Sequence, residues 1–401
     1  MKRALLAVAT FFAVLVALVP TASAAPKFKV LHAFGNGQDG AGTWGSLLLD
    51  KKGNVYGTTS GGGLYGYGTV FELTPKSNGK WSEIILHSFD LNGQDGFESH
   101  GSLTFAAGNL FGTTTGGGAY NYGTVFELTP GSGGWAETVL YSFGSHQNDG
   151  FEPYAGVVLG PAGDLFGTTP HDPGNVFELT PGSDGWTESV IDDFSKHDDG
   201  NGPFAGLIVD AAGNLYGTTE YGGVHNLGVV YSLKSAGDGS WKERILHDFC
   251  AKGPPNCQDG ARPGVGALTM DISGNVYGTT AGGDCCGTVF RLTQANGRWK
   301  ETILYDFKGG ASGYEPGAGV VRDTAGNLYG TTVYGGSCCG VVFKLSPKEN
   351  GKWKYTLLHT FTGYDGAQPD ANLILDEKGN LYGTAATGGA YDDGVVFEVT
   401  R

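Results

Sequence analysis

Five of the nine histidines in this 401-residue chain, His100, His146, His171, His197 and His225, fall in turn-rich stretches of its first 225 residues. Near three of them stand Asp172, Asp198, Asp199 and Glu220, and the run "TTPHDPGN" (168–175) is unlike anything else in the sequence. Imidazole beside carboxylate is the pairing that moves protons near neutral pH or holds a divalent metal. The candidate catalytic set is therefore His171, Asp172, His197, Asp199, Glu220 and His225. No H-x-x-x-H or comparable spacing accompanies them, so the competing reading is a set of solvated loop side chains, with no metal and no cofactor expected.

Aromatic residues supply a second candidate set: Trp44, Tyr65, Tyr67, Tyr120, Tyr122, Tyr154 and Tyr221. Flat rings among Gly, Asn and Asp suit stacking on a sugar or capture of a partner protein. The alternative is a ring packed over its own glycine-rich loop. The six cysteines are even in number. Cys250 and Cys257 flank "CAKGPPNC", where a bridge would staple the loop. Cys285–Cys286 and Cys338–Cys339 occupy equivalent places in neighbouring units, too far apart for a bond between units, so two vicinal bridges are expected. A four-thiolate metal site is the alternative.

What positions these residues is a repeat. "GNVYGTT" (53–59) returns six times, and its leading glycines, Gly53, Gly108, Gly163, Gly213, Gly274, Gly326 and Gly379, are spaced by 55, 55, 50, 61, 52 and 53 residues. Each unit reads as four short extended runs such as "GSLLLD", "NVYGTT", "GTVFELT" and "WSEIILHSF", rich in Val, Ile, Thr, Tyr and Phe and too short for helices. The "DKKGN" turn (50–54) has the Asp and Gly of a tight hairpin. The aromatic before each Gly-Thr is expected to fill the space between sheets, with the glycine leaving room for it. The recurring Asp of the "DG" turns, Asp39, Asp95, Asp149, Asp199, Asp259 and Asp365, is expected to accept backbone N–H bonds. A calcium loop is the alternative, but its dense Asp spacing is absent. His32, His87, His247 and His359 share one place in the fourth run and read as structural.

Seven four-stranded units predict an all-β, seven-bladed β-propeller, with blades at about 45–89, 101–143, 155–194, 205–249, 266–307, 318–361 and 372–401. "KFKVLHAF" (27–34) matches "KYTLLHTF" (354–361), a fourth run with no first three before it, and the last unit lacks a fourth. Residues 27–34 should therefore close the ring beside 394–400, which removes bare sheet edges. The units, of the form "DGxxPxAGLIxDxxGNLYGTT", resemble the GloVer tandem-repeat family of secreted bacterial proteins. That resemblance implies export and a propeller, and it implies no activity.

Residues 1–24 read as a signal peptide: Lys2 and Arg3, an apolar run from Ala4 to Val19, then a small-residue cleavage site after Ala24, leaving residues 25–401 as one domain. The expected location is secreted or periplasmic, with no membrane span after cleavage. Loss of Lys2 and Arg3 takes the formal charge from −15 to −17, and without a basic cluster nucleic acid is excluded as a partner. The leading expectation is a secreted binding or scaffold module presenting one loop face to a glycan or a cell-surface protein. The alternatives are a polysaccharide-acting hydrolase or lyase using the His/Asp loops of units 2–4, and a structural envelope protein. The even repeat favours binding, since catalysis needs a few unlike groups at one point.

Overall fold

The computed structural model describes residues 26–146, 148–171, 174–195 and 199–400. The proposed signal peptide, with Asp172, His197 and Asp198, lies outside the described residues. Seven antiparallel sheets of four main strands follow one another around a ring, each running from a short inner strand to a long outer one. In the first blade the strands are Leu48–Leu49, Val55–Thr59, Thr69–Pro75 and Trp81–Ser88. The fold is a seven-bladed β-propeller.

The ring closes through the chain's two ends. Lys27–Ala33 pairs antiparallel with Val395–Thr400, with Val30 opposite Phe397 and Lys27 opposite Thr400, and so becomes the outer strand of the seventh blade. Phe28 lies against His359 of the sixth blade, ring centroids 3.6 Å apart. Phe34, fully buried, meets Phe71 of the first blade at 5.1 Å. The first-to-last junction is thus packed like the others. The core is seven wedges between blades: one joins Phe34, Tyr382 and Val396 of the seventh blade to Leu47, Val55, Phe71 and Leu73 of the first.

Each residue of "GNVYGTT" has a separate physical task. Gly53, at φ 85°, donates its N–H to the Asp50 carbonyl at 3.1 Å, and Asp50 Oδ1 accepts the Asn54 N–H at 2.8 Å. Tyr56 packs into the wedge with the second blade. Gly57 makes room for a different ring from the one anticipated: a Cβ there would stand 2.5 Å from Phe71 on the adjacent strand of its own blade. The two threonines divide their work. Thr58 Oγ1 donates across to the Gly101 carbonyl of the next blade at 2.9 Å, as Thr113 does to Ala155 and Thr279 to Ala318. Thr59 Oγ1 instead meets Thr69 Oγ1 within its blade at 2.8 Å. The "DG" carboxylates accept backbone N–H groups of their turns, as in Gly35 to Asp39 at 2.8 Å and Thr362 to Asp365 at 2.8 Å. The four recurring histidines face those same carboxylates at 3.0–3.3 Å.

Candidate functional site

Three residues before the buried apolar residue that leads into every inner strand, the chain passes the axis of the ring. Those seven equivalent positions hold Trp44, His100, Tyr154, Phe204, Val265, Gly317 and Asp370. The scaffold around them repeats, yet their side chains do not. Four successive blades contribute rings, two contribute small or aliphatic residues, and one contributes a carboxylate. With Gly317 excepted, these positions line one axial cavity of about 140 Å³, floored by the small residues that follow them.

The rings form a continuous arc. Trp44 and His100 have centroids 6.4 Å apart, His100 stacks on Tyr154 at 4.8 Å and 15°, and Tyr154 meets the edge of Phe204 at 5.9 Å. All four are half-buried, so their faces border the opening. Burial lowers the His100 pKa, leaving a neutral ring whose Nδ1 lies 3.1 Å from the Glu98 carbonyl. Below the arc a belt of polar bonds closes the throat. Asn372 donates from Nδ2 to the Ala267 carbonyl at 3.0 Å and accepts the Gly319 N–H at 2.7 Å, tying three blades together. Ser46 and Ser102 continue the belt through the Ser46 N–H to Ser102 Oγ bond of 2.9 Å.

Asp370 is the exception in this apolar arc. Its Oδ1 is shut off from solvent and has no hydrogen-bond partner. The side chain lies over Gly317, where any Cβ would overlap that same oxygen. Burial, and then the charge of Glu315, pushes the Asp370 carboxyl up to about 7. Burial also raises the Tyr154 pKa, with a smaller contribution from Asp370. The rest of the Asp370 side chain keeps partial exposure where it lines the cavity, so this carboxylate, near half-ionised at neutral pH, can accept hydroxyl or ammonium donors from a guest.

The other candidates are dispersed around the loop face. His171 pairs with Glu152 at 3.0 Å, stacks on Phe151 at 5.4 Å and meets the edge of Phe204 at 5.8 Å. His225 lies against Gly253 in the Cys250–Cys257 loop, and Asp199 is buried in its turn. Tyr221 carries Arg262 over its ring at 5.8 Å, and a hydrogen bond to Glu220 raises its pKa. Tyr65, Tyr120 and Tyr122 are about half exposed, at 53%, 51% and 48%, and Tyr67 packs against Phe97 at 5.9 Å. Trp44 and Tyr154 alone among the aromatic candidates reach the axis. In sequence His100 reads only as a loop histidine, and no local signal marks Phe204 or Asp370. Aligning the seven units on their inner-strand leucine or valine exposes all three. The cysteines form three pairs, Cys250–Cys257, Cys285–Cys286 and Cys338–Cys339.

Fold and site together define a repeat-built propeller scaffold with an asymmetric axial mouth. The chain belongs to the Gloeobacter/Verrucomicrobia repeat family, whose model matches residues 17–172, 137–300 and 251–401. No curated protein matches it in sequence. Among solved structures it is similar to a candidate 6-phosphogluconolactonase of Bacteroides uniformis, with a TM-score of 0.52 and 13% identity over 81% of this chain and 86% of that one. A second such candidate, from Bacteroides fragilis, gives 0.49 and 14% over 82% and 86%. A protein of unknown function from Dyadobacter fermentans gives 0.46 and 11% over 94% and 100%. At 13% identity the first of these likenesses shows the fold alone.

Proposed function

We propose that the protein is an exported binding module that receives a glycan at the mouth of its axial cavity, with the surrounding loop face as the wider contact. One observation carries this reading: the arc of Trp44, His100, Tyr154 and Phe204 shares a cavity with the unpartnered Asp370 carboxylate. Sugar rings offer C–H faces that stack on aromatic planes and hydroxyls that donate to carboxylates, and this mouth supplies both partners. Tyr65, Tyr120 and Tyr122, each about half exposed, are the wider contacts in this reading. The three disulfides are compatible with an oxidising compartment. Among the described residues no helix is long and apolar enough to cross a membrane. Export through the signal sequence at residues 1–24 is part of the proposal.

A glycan-array screen of the processed protein tests it. Binding that is lost in Trp44→Ala and Tyr154→Ala, weakened in Asp370→Asn, and reduced less by Tyr65→Ala or Tyr120→Ala supports the axial mouth. The absence of any bound glycan, or retention by both axial variants, overturns it.

A further inference from the structure

At the rim, each cleft between neighbouring blades is lined by the same two sequence positions. One lies two residues before the recurring buried phenylalanine of an outer strand. The other lies six residues before that phenylalanine on the next blade. Between the fifth and sixth blades the pair is Tyr305 and Tyr355, stacked at 4.8 Å and 21°. Between the sixth and seventh it is His359 and Phe28, stacked at 3.6 Å and 7°. Rings alone can therefore fill such a cleft. Between the seventh and first blades the positions hold His32 and Glu83, and between the first and second His87 and Glu137. Asp39 and Asp95 from the "DG" turns complete each group.

We infer that these two rim clefts are divalent-cation sites, each offering one imidazole nitrogen and two carboxylate oxygens, with zinc the ion that fits. His32 Nε2 lies 3.1 Å from Asp39 Oδ2 and 3.6 Å from Glu83 Oε1, and His87 Nε2 lies 3.0 Å from Asp95 Oδ2. In each group the three donor atoms fall within 4.8 Å of one another. Zinc bonds of about 2.0–2.1 Å in a tetrahedron set ligands about 3.3 Å apart, so small adjustments bring all three onto one ion and leave the fourth position to water. The supporting bonds aim the carboxylates: the Gly35 N–H holds Asp39 Oδ1 at 2.8 Å, and the Gly96 N–H holds Asp95 Oδ1 at 2.7 Å.

A second observation points the same way. Oε1 of Glu83 and Oε1 of Glu137 are both shut off from solvent with no hydrogen-bond partner. A buried carboxylate oxygen left unpaired is costly, and a bound cation removes that cost. Packing does not require a carboxylate here, because stacked rings fill two of the equivalent clefts, while Glu188, Glu243 and Glu301 hold the position in the other three. Each histidine side chain keeps 20% of its surface exposed, which leaves an entry path. The cleft between the fourth and fifth blades repeats the types, with His247 Nε2 3.3 Å from Asp259 Oδ2 and Glu301 beside them. Among the described residues, however, only the first two groups bring all three donors within 4.8 Å. Neither site shows in sequence spacing, since the ligands in the first lie 7 and 51 residues from His32.

The test is zinc titration of the chelator-stripped full chain at pH 7.5 by calorimetry, with metal content counted after dialysis. Two ions per chain are expected, falling to one in Glu83→Gln or Glu137→Gln and to none in the double variant. Zinc should also raise the unfolding temperature of the parent and leave that of the double variant unchanged, which separates lost ligation from lost folding. A parent that takes up no zinc, a double variant that keeps both ions, or clefts that take calcium and refuse zinc would each overturn the assignment.

Discussion

Replacing Asp370 by Asn should stabilise the protein, and by an amount that depends on pH. The carboxyl titrates near its ordinary 3.8 in the unfolded chain and at about 7 in the folded one. Well below pH 3.8 both states are protonated and the group is neutral to folding. Between these values the unfolded state has released its proton while the folded state retains it, so stability falls as pH rises. Above about pH 7 the loss is complete. At roughly 1.4 kcal/mol per pH unit, the full loss is at most about 4 kcal/mol, and between pH 5 and pH 8.5 it is about 3 kcal/mol. Asparagine is a neutral mimic of the protonated acid and carries no such penalty.

The assay is thermal unfolding of parent and Asp370→Asn at several pH values, read as their difference so that all other titrating groups cancel. Unfolding entropy of roughly 2.1 cal/mol/K per residue over some 375 residues is about 0.8 kcal/mol/K, so the difference should grow by about 4 °C from pH 5 to pH 8.5. A difference that does not change with pH, or a variant less stable than the parent at pH 8.5, would refute the claim that the carboxylate is unpaired. The sign also bears on function. A group that weakens the fold above neutral pH, in a ring where six equivalent positions carry none like it, is not there for stability, as the proposed binding role requires.

Other consequences of the geometry are open to measurement. Gly57→Ala places a Cβ 2.5 Å from Phe71 and should lower unfolding stability by about 1–3 kcal/mol in a urea titration, since a packed core does not absorb the extra methyl. Gly53→Ala meets nothing within 4 Å and should cost only the strain of its φ of 85°, about 1 kcal/mol. Thr113→Val removes the bond to the Ala155 carbonyl of the next blade and should cost about 1 kcal/mol by the same titration. Removing residues 1–34 bares the Val395–Thr400 edge, and light scattering should then show concentration-dependent association that the parent lacks.

The architecture was legible because the repeat states it seven times over, and each copy carries turn, strand and packing signals that agree. The closing strand was legible for the same reason: "KFKVLHAF" is recognisable only beside its six full relatives. The task of Gly57 was half legible, since the need for space could be read but the ring that fills it belongs to a neighbouring strand. The axial mouth was harder to see. Its members lie one per blade, about 50 residues apart, and no local spacing links Trp44 to Asp370. Asp370 follows a proline in a loop and resembles many solvent-facing aspartates until the ring places it beside the axis.

This contrast says where specificity can arise in such a ring. Residues that hold one blade to the next, such as Thr58, or that set the packing within a blade, such as Gly57, are constrained by every neighbour they touch, so a change there costs stability. The side chains at the axis and in the rim clefts change from blade to blade, and their positions hold Trp, Gly and Asp, or Glu, Tyr and Phe, within the same repeat. Chemistry can therefore be written at those places without altering the repeat that builds them. The argument has a direct check in Val265, which occupies the axial position of the fifth blade. Val265→Tyr should extend the ring arc and change glycan capture while shifting the unfolding midpoint by less than Gly57→Ala does, and a reversed order of those two shifts would show that the axis is as tightly constrained as the packing within a blade.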